Sequence, residues 1–239
     1  SEQHIRELSD KDIQLMSRQD LGKVLVTIAP ENVSPTQISE LVSEGIIVSI
    51  GHSAATYSQT LDALQAGATG FTHLYNAMSA LTSREPGAVG AALLNDSVYC
   101  GFIIDHHHLH RKSAELALKV KSATRAMLVT DAMAHVGSDI ERLHFFNTEI
   151  VRHGDKLTTP DGKTLAGSCL DMHSAVLNTH NDCGVTLEDA SKMASATPAQ
   201  FMGLESDIGS ITEGQRADFL LLNSANALTH VFSNMRMVF

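Results

Sequence analysis

The chain is short of cysteine, of positive charge and of long apolar runs, and each shortage excludes a class of protein. Its three cysteines, Cys100, Cys169 and Cys183, are odd in number and form no C-x-x-C pair. They predict reduced thiols in a cytoplasmic protein rather than a disulfide framework. No apolar run approaches the roughly 18 residues of a membrane span, and the polar, charged stretch 1–20 does not resemble a signal peptide.

Basic residues are outnumbered by acidic ones. The 17 lysines and arginines stand against 27 aspartates and glutamates, which gives a formal net charge of -10. Nucleic acids need a basic surface to neutralise their phosphates, so we expect no nucleic-acid partner. A phosphorylated small molecule is compatible with this charge, because a single pocket needs only one or two cations.

The sequence does contain enough apolar residues for a substantial core, 43% of 239, and its length fits one large domain or one domain with a small appendage. Short β-branched apolar runs alternate with amphipathic stretches, which predicts parallel strands joined by helices in an α/β fold. The five runs lie at 24–29, 46–50, 68–74, 98–104 and 126–129. Farther along, 145–151 and 156–158 are typical of short antiparallel strands, and 218–223 and 227–232 are typical of β-strands.

Acidic and histidine residues follow each of these five runs. In parallel α/β barrels, catalytic groups lie at the carboxyl ends of the strands. The residues in question are Glu31, His52, His73, the stretch from Asp105 to His108, and Asp131. Five successive βα units that each end in such a group predict a shared site.

His52 and His73 are 21 residues apart, about one βα unit. They should therefore lie at the ends of neighbouring strands, with imidazoles able to converge on a borderline cation such as zinc. A catalytic zinc ion takes about three protein ligands, so a further ligand is required. The alternative is that both histidines only cap their loops.

Two other residues each have a functional interpretation and an ordinary one, and a histidine cluster has an ordinary one. Asp131 can transfer a proton to a leaving amine, or it can simply cap the following loop. Arg84 can bind phosphate through its planar guanidinium, or it can form a surface ion pair. In the cluster from Asp105 to His110, His106, His107 and His110 are expected to be exposed or to contact a partner subunit.

Several motifs, taken in order, resemble the N-acetylglucosamine-6-phosphate deacetylase family of the amidohydrolase superfamily. Each is weak alone, but the ordered set is highly specific and runs from about Gly22 to the C-terminus. The motifs are Ala29-Pro30-Glu31, Gly51-His52-Ser53-Ala54-Ala55-Thr56, Thr72-His73-Leu74-Tyr75-Asn76-Ala77-Met78, Arg84-Glu85-Pro86-Gly87, Val129-Thr130-Asp131-Ala132, Leu165-Ala166-Gly167-Ser168 and 209–218.

The resemblance implies a role for each matching residue. His52 and His73 become ligands of a divalent metal, zinc in the first place and otherwise iron or another divalent ion. Asp131 becomes the acid and base that carries a proton from water to the departing amine. The residues implied to bind the substrate are Asn76, Ala77, Arg84, His108, Leu165, Ala166 and Gly167. The implied reaction releases acetate and glucosamine 6-phosphate.

The resemblance also implies a distorted (β/α)8 barrel with a small β-sandwich. On that basis, residues 1–205 would carry barrel strands 4 to 8 with their helices, and 206–239 the C-terminal strands of the sandwich. The resemblance further implies that the N-terminal barrel strands, with a glutamate ligand and an oxyanion-stabilising histidine, are to be expected upstream of this sequence. The family is usually dimeric, with Arg84 serving the neighbouring site.

One local departure is that His106 and His107 stand where the family usually has glycine and an apolar residue. Two other functions stay open. One is a different amidohydrolase activity, on a cyclic amide, although Arg84 and the Asn76-Ala77 pair favour a phosphorylated amino sugar. The other is an inactive homologue that binds sugar phosphates.

Overall fold

The computed structural model describes residues 6–239, which form two compact units divided after Gly101. The first unit contains parallel strands in the order β1-β2-β3-β4, with helices between them. The strands are β1 (Leu25–Ile28), β2 (Ile47–Ile50), β3 (Gly70–Phe71) and β4 (Tyr99–Phe102). The helices are α1 (Asp10–Met16), α2 (Pro35–Ser43), α3 (Tyr57–Gln65) and α4 (Gly87–Leu94), with a 3₁₀ turn at Gln19–Leu21.

The ends of α2 follow from local sequence chemistry. The hydroxyl of Ser34 accepts a hydrogen bond from the Gln37 backbone N–H, and Pro35 occupies the first helical position. Gly45 follows the helix with a φ of 79°, a left-handed conformation that costs glycine little. Ile38 and Leu41 are fully buried on the helix face that packs in the core.

The strand register of the first unit sets the positions of the loops that follow. Val48 of β2 is paired with Val26 of β1, and Phe71 of β3 with Cys100 of β4. Because these strands are parallel, their carboxyl ends lie at one edge of the sheet. His52 and His73 lie at that edge, each two residues after the end of its strand, β2 or β3.

The second unit begins with Phe102, the last residue of β4. Its strand β5 is Ala126–Leu128, and the Val129 N–H, directly after that strand, donates to the Phe102 carbonyl at 3.0 Å. The other strands are β6 (Arg142–Phe145), β7 (Thr148–His153) and β8 (Lys156–Thr158) in one antiparallel sheet, and β9 (Phe219–Leu222), β10 (Leu228–Ser233) and β11 (Arg236–Met237) in another. The helices are α5 (Arg111–Val120), α6 (Met172–Asp182), α7 (Leu187–Ala194) and α8 (Ala196–Phe201).

The α/β class predicted from the sequence is confirmed, and all five predicted parallel strands are present. The prediction of one strand over 145–151 is wrong. The chain turns at Phe146 and Asn147, between β6 and β7, and Phe146 takes a φ of 51°. Phe145 and Phe146 are aromatic residues of a kind common in strands, so the sequence does not indicate this two-residue turn. The domain boundary at 205/206 stays a prediction.

The longest helix in residues 6–239 is α6, with 11 residues. A helix that crosses a bilayer needs about 20 apolar residues. None of the helices in this part of the chain meets that requirement.

Candidate active site

Backbone strain marks the loops that follow β2, β3 and β5. His52 has a φ of 48°, His73 of 33° and Asp131 of 50°. Non-glycine residues seldom adopt positive φ, and those that do cluster at functional sites, where the surrounding structure holds them in place. The three residues that the sequence predicts as metal ligands and proton carrier are thus among the non-glycine residues with positive φ.

His52 and His73 converge as the sequence predicts. Their Nε2 atoms are 2.9 Å apart, and the two rings meet edge to face at 74°. His73 is buried and His52 is exposed. Two imidazole nitrogens bound to one zinc at about 2.1 Å would be about 3.4 Å apart in a tetrahedral site. The pair therefore fits two ligands of such an ion after a small separation of the rings.

Glu31 braces the loop that carries His52. Its carboxylate accepts hydrogen bonds from the Ser53 hydroxyl and from the Ala54 backbone N–H, each at 2.6 Å. Ser53 is buried and also donates its backbone N–H to the Ala77 carbonyl at 2.9 Å. Glu31 thus supports the site through the loop after β2, and both of its oxygens are engaged there.

Asn76 and Ala77, the predicted sugar-binding pair, lie on the loop that follows His73. The Asn76 side-chain amide donates to the His73 carbonyl at 3.2 Å. Tyr75 and Ala77 have φ values of 80° and 49°, which continues the strained stretch that begins at His73. The structure therefore brings this pair beside a candidate metal ligand.

Arg84 lies exposed on the loop before α4. Its neighbour Glu85 accepts hydrogen bonds from the backbone N–H groups of Gly87 and Tyr57, which lower the pKa of the Glu85 carboxyl. The nearest acid in sequence therefore stabilises this loop. The role of Arg84 in phosphate binding stays a prediction.

The second unit brings Asp131 together with the predicted substrate loop at Leu165, Ala166 and Gly167. The exposed Asp131 has its backbone carbonyl bonded to the Ser168 N–H at 2.8 Å. A Cβ atom added to Gly167 would lie 3.0 Å from the Asp131 carbonyl oxygen, and the φ of Gly167 is 67°. Only glycine fits this close approach.

His108 is oriented by a buried carboxylate. Its Nδ1 lies 2.7 Å from Asp105 Oδ2, and both side chains are only 7% exposed. The backbone N–H groups of His107 and His108 donate to Asp105 Oδ1. Burial alone would raise the pKa of Asp105, but the hydrogen bonds from His108 and His107 hold it below its usual value. The contact with Asp105 fixes the orientation of the His108 ring. The role of His108 in substrate binding stays a prediction.

The remaining histidines of this cluster lie close to polar groups of the same chain. His106 Nε2 lies 3.3 Å from the Asp182 carboxylate, and His107 Nε2 lies 3.1 Å from that of Asp155. His110 caps α5. His106 and His110 are exposed as expected, whereas His107 is only partly so.

His135 was not predicted from the sequence. Its side chain is fully buried, and neither ring nitrogen finds a hydrogen-bond partner among residues 6–239. Burial, reinforced by the charge of Arg152, lowers the pKa of the imidazole. Arg152 also donates to the His135 carbonyl at 3.3 Å. The one signal in the sequence is the position of His135 four residues after Asp131.

Within residues 6–239, no single cluster of three histidine, cysteine, aspartate or glutamate side chains is placed to hold a metal ion. The histidine pair supplies two ligands. The convergence of Asp131 with that pair stays a prediction.

Comparison with known proteins relates the chain to hydrolases of one family. Residues 3–238 match the amidohydrolase family. An N-acetylgalactosamine-6-phosphate deacetylase of Shewanella sp. (strain ANA-3) is 48% identical over 92% of this chain and 55% of its own length. An N-acetylglucosamine-6-phosphate deacetylase of Vibrio furnissii is 34% identical over 99% of this chain and 59% of its own length. The chain thus spans little more than half the length of these relatives.

Solved structures that resemble this chain include deacetylases of the same kind as these relatives. The N-acetylglucosamine-6-phosphate deacetylase of Pasteurella multocida has a TM-score of 0.93 and 32% identity, over 98% of this chain and 61% of that one. A mutant enzyme of Mycobacterium smegmatis, in complex with N-acetyl-D-glucosamine-6-phosphate, has a TM-score of 0.92 and 30% identity, over 100% of this chain and 64% of that one.

Proposed function

Because the chain belongs to the amidohydrolase family, we propose that it hydrolyses the acetamide of N-acetylglucosamine 6-phosphate to acetate and glucosamine 6-phosphate, in amino-sugar catabolism. The observation that carries this proposal is the 2.9 Å approach of the His52 and His73 Nε2 atoms at the ends of neighbouring parallel strands. Two convergent imidazoles held by strained backbone are suited to a catalytic cation.

The proposed cofactor is one divalent metal ion, zinc in the first place and otherwise iron. When bound, such an ion polarises a carbonyl and lowers the pKa of water. His52 and His73 would hold it, together with at least one further ligand. A borderline cation fits neutral imidazole donors better than magnesium or calcium would, since those ions prefer oxygen ligands.

Asp131 is the proposed acid and base. Its exposed carboxylate would take a proton from the attacking water and deliver it to the departing amine as the C–N bond breaks. The sugar would contact His108, whose orientation is fixed by Asp105. The other residues proposed to contact the sugar are Asn76, Ala77, Leu165, Ala166 and Gly167. Arg84 would bind the 6-phosphate, and this contact serves orientation rather than bond cleavage.

A second candidate substrate is the galacto epimer, N-acetylgalactosamine 6-phosphate. It is favoured by the names of two similar relatives, at 48% identity in Shewanella and 39% in Escherichia coli O157:H7. The two epimers differ only at C4, so the same metal, acid–base and phosphate groups would serve either. Specificity would then depend on the groups that contact the C4 hydroxyl.

The proposal extends to assembly and location. A homodimer would place Arg84 at the partner's site, in agreement with its exposed loop. A cytoplasmic location is supported by the low cysteine content, three residues without a C-x-x-C pair.

The direct test measures acetate release by the purified protein with each 6-phosphorylated epimer and with both unphosphorylated sugars, after metal analysis. We expect bound zinc or iron and turnover of the phosphorylated sugars, lost on treatment with a chelator and restored by added metal. Hydrolysis of a cyclic amide instead would favour the other amidohydrolase activity. Binding of phosphosugar without metal or turnover would favour an inactive homologue.

A further inference from the structure

Asp131 takes its position from a backbone that has to be held. Its φ of 50° is in the left-handed region, and such a conformation persists only where surrounding contacts determine it. The exposed Asp131 side chain is not in a position to fix its own backbone. The contacts that hold this residue must therefore come from other segments of the same chain.

Ser168 supplies those contacts with every polar group it has. Its backbone N–H donates to the Asp131 carbonyl at 2.8 Å, and its carbonyl accepts from the Met133 N–H at 3.0 Å. Its hydroxyl donates to the Thr130 carbonyl and accepts from the Leu170 N–H. Ser168 is thus hydrogen-bonded to the residue before Asp131, to Asp131 itself and to a residue two positions after it.

The hydroxyl of Ser168 makes the hydrogen bonds that a substitution would remove, because the backbone N–H and carbonyl are present in any residue. The residue is 1% exposed, so water cannot substitute for its hydroxyl at the Thr130 carbonyl. The preceding residue, Gly167, allows the two segments to come this close, because a side chain there would meet Met133. The hydroxyl is therefore a buried clamp, a hydrogen-bonded link between the segment that follows β5 and the loop that contains Leu165.

We infer that Ser168 is a positioning residue for Asp131. This inference rests on the proposed function, in which Asp131 moves the proton. Ser168 does not touch the reacting atoms; it fixes the segment from which the carboxylate projects. A displacement of a catalytic group by about 1 Å can cost about 10²-fold in rate, so loss of the clamp should lower kcat.

The test compares Ser168→Ala with Thr197→Val. Thr197 is a matched control because its buried hydroxyl also donates to a distant carbonyl, that of Ala123 at 2.7 Å, in the same unit. We expect Ser168→Ala to lower kcat by about 10- to 100-fold with KM and bound metal within about twofold of wild type. Thr197→Val should keep kcat within about twofold of wild type, even if its thermal stability falls as much as that of Ser168→Ala.

A double mutant separates positioning from general damage. If Ser168 acts through Asp131, adding Ser168→Ala to Asp131→Asn should lower the residual kcat by less than about twofold. An equal loss in both backgrounds, or wild-type kcat in Ser168→Ala while Asp131→Asn is impaired, would overturn the inference.

Hydrogen exchange keeps the two proposals distinguishable. In Ser168→Ala, backbone amides over residues 129–134 should exchange faster than in wild type, whereas Thr197→Val should leave them unchanged. Absence of acetate release, or an active Asp131→Asn, would refute the proposed function, and unchanged exchange at 129–134 would separately refute the role of Ser168.

Discussion

The imidazoles of His52 and His73 meet at 2.9 Å although the residues are 21 positions apart in the sequence. The two residues follow the neighbouring parallel strands β2 and β3, whose pairing brings the two loops side by side. Both residues also carry left-handed backbone. An arrangement that is strained and fixed in this way is suited to a bound cation.

Replacing either histidine by alanine should therefore remove the metal. Loss of a residue that only hydrogen-bonds to a metal ligand weakens metal affinity by about 10- to 100-fold. We expect His52→Ala and His73→Ala to weaken zinc affinity by more than that, because each removes a ligand itself. Competition with a chelating dye measures this affinity without reference to turnover. His144→Ala, which removes an imidazole that is 84% exposed, is the control. Equal metal affinity in all three variants would contradict the site.

Asp131→Asn should keep metal and substrate binding but lose turnover. General acid–base catalysis contributes about 10²- to 10⁴-fold to a rate, and an amide cannot accept and return the proton. We expect kcat to fall within that range, with KM changed little. Asp139→Asn, at an exposed position on the same loop, is the control. Near-normal kcat in Asp131→Asn would remove this residue from the mechanism.

Arg84→Ala should weaken phosphate recognition alone. We expect KM to rise about tenfold or more for the phosphorylated sugar, since charge-assisted hydrogen bonds to phosphate contribute on the order of 1.5–3 kcal/mol. KM for the unphosphorylated sugar should stay the same. Arg236→Ala removes another exposed arginine and should change neither value. If Arg84→Ala affects both sugars equally, Arg84 does not bind phosphate.

The strand-end residues could be predicted because buried parallel strands leave a clear trace in the sequence. Short apolar runs locate the strands, and the next polar residue then lies at a known edge of the sheet. His52 and His73 are predicted in this way. These features depend on local chemistry and on the repeat of the βα unit.

The clamp at Ser168 and the burial of His135 could not be predicted, because both depend on tertiary contacts. Ser168 reaches Thr130 across 38 residues, and no periodicity relates those positions. His135 has no hydrophobic pattern around it that would indicate full burial. The turn at Phe146 was missed for a related reason, since aromatic residues are common in strands and seldom take positive φ.

The pair formed by Asp105 and His108 should make stability depend on pH in the acid range. The folded-state pKa of Asp105 is lowered, so its contribution is present above the unfolded value of about 3.9 and is lost as pH falls through the lower folded value. Asp105→Asn should be less stable than wild type at neutral pH. That difference should shrink below about pH 4 in urea titrations. Asp96→Asn, at an exposed position, should match wild type throughout.

His135 should produce a separate loss of stability at mildly acidic pH. Its folded-state pKa is lowered by burial and by the charge of Arg152. As pH falls below about 6.5, the His135 imidazole is therefore protonated in the unfolded chain before it is protonated in the folded protein. Protonation then favours unfolding, and stability falls as pH drops towards the folded-state value. His135→Leu should remove this part of the pH dependence, because leucine carries no titratable group.

The same variant tests whether the unsatisfied imidazole is a cost at neutral pH. An apolar residue leaves no unpaired nitrogen in the core, and replacing a buried polar group in this way is often neutral or stabilising. His135→Leu should therefore unfold at neutral pH with a free energy no lower than that of wild type. His144→Ala removes an exposed imidazole instead and should keep the wild-type slope. A His135→Leu variant that retains the full loss of stability between about pH 7 and about pH 5 would show that other groups cause it.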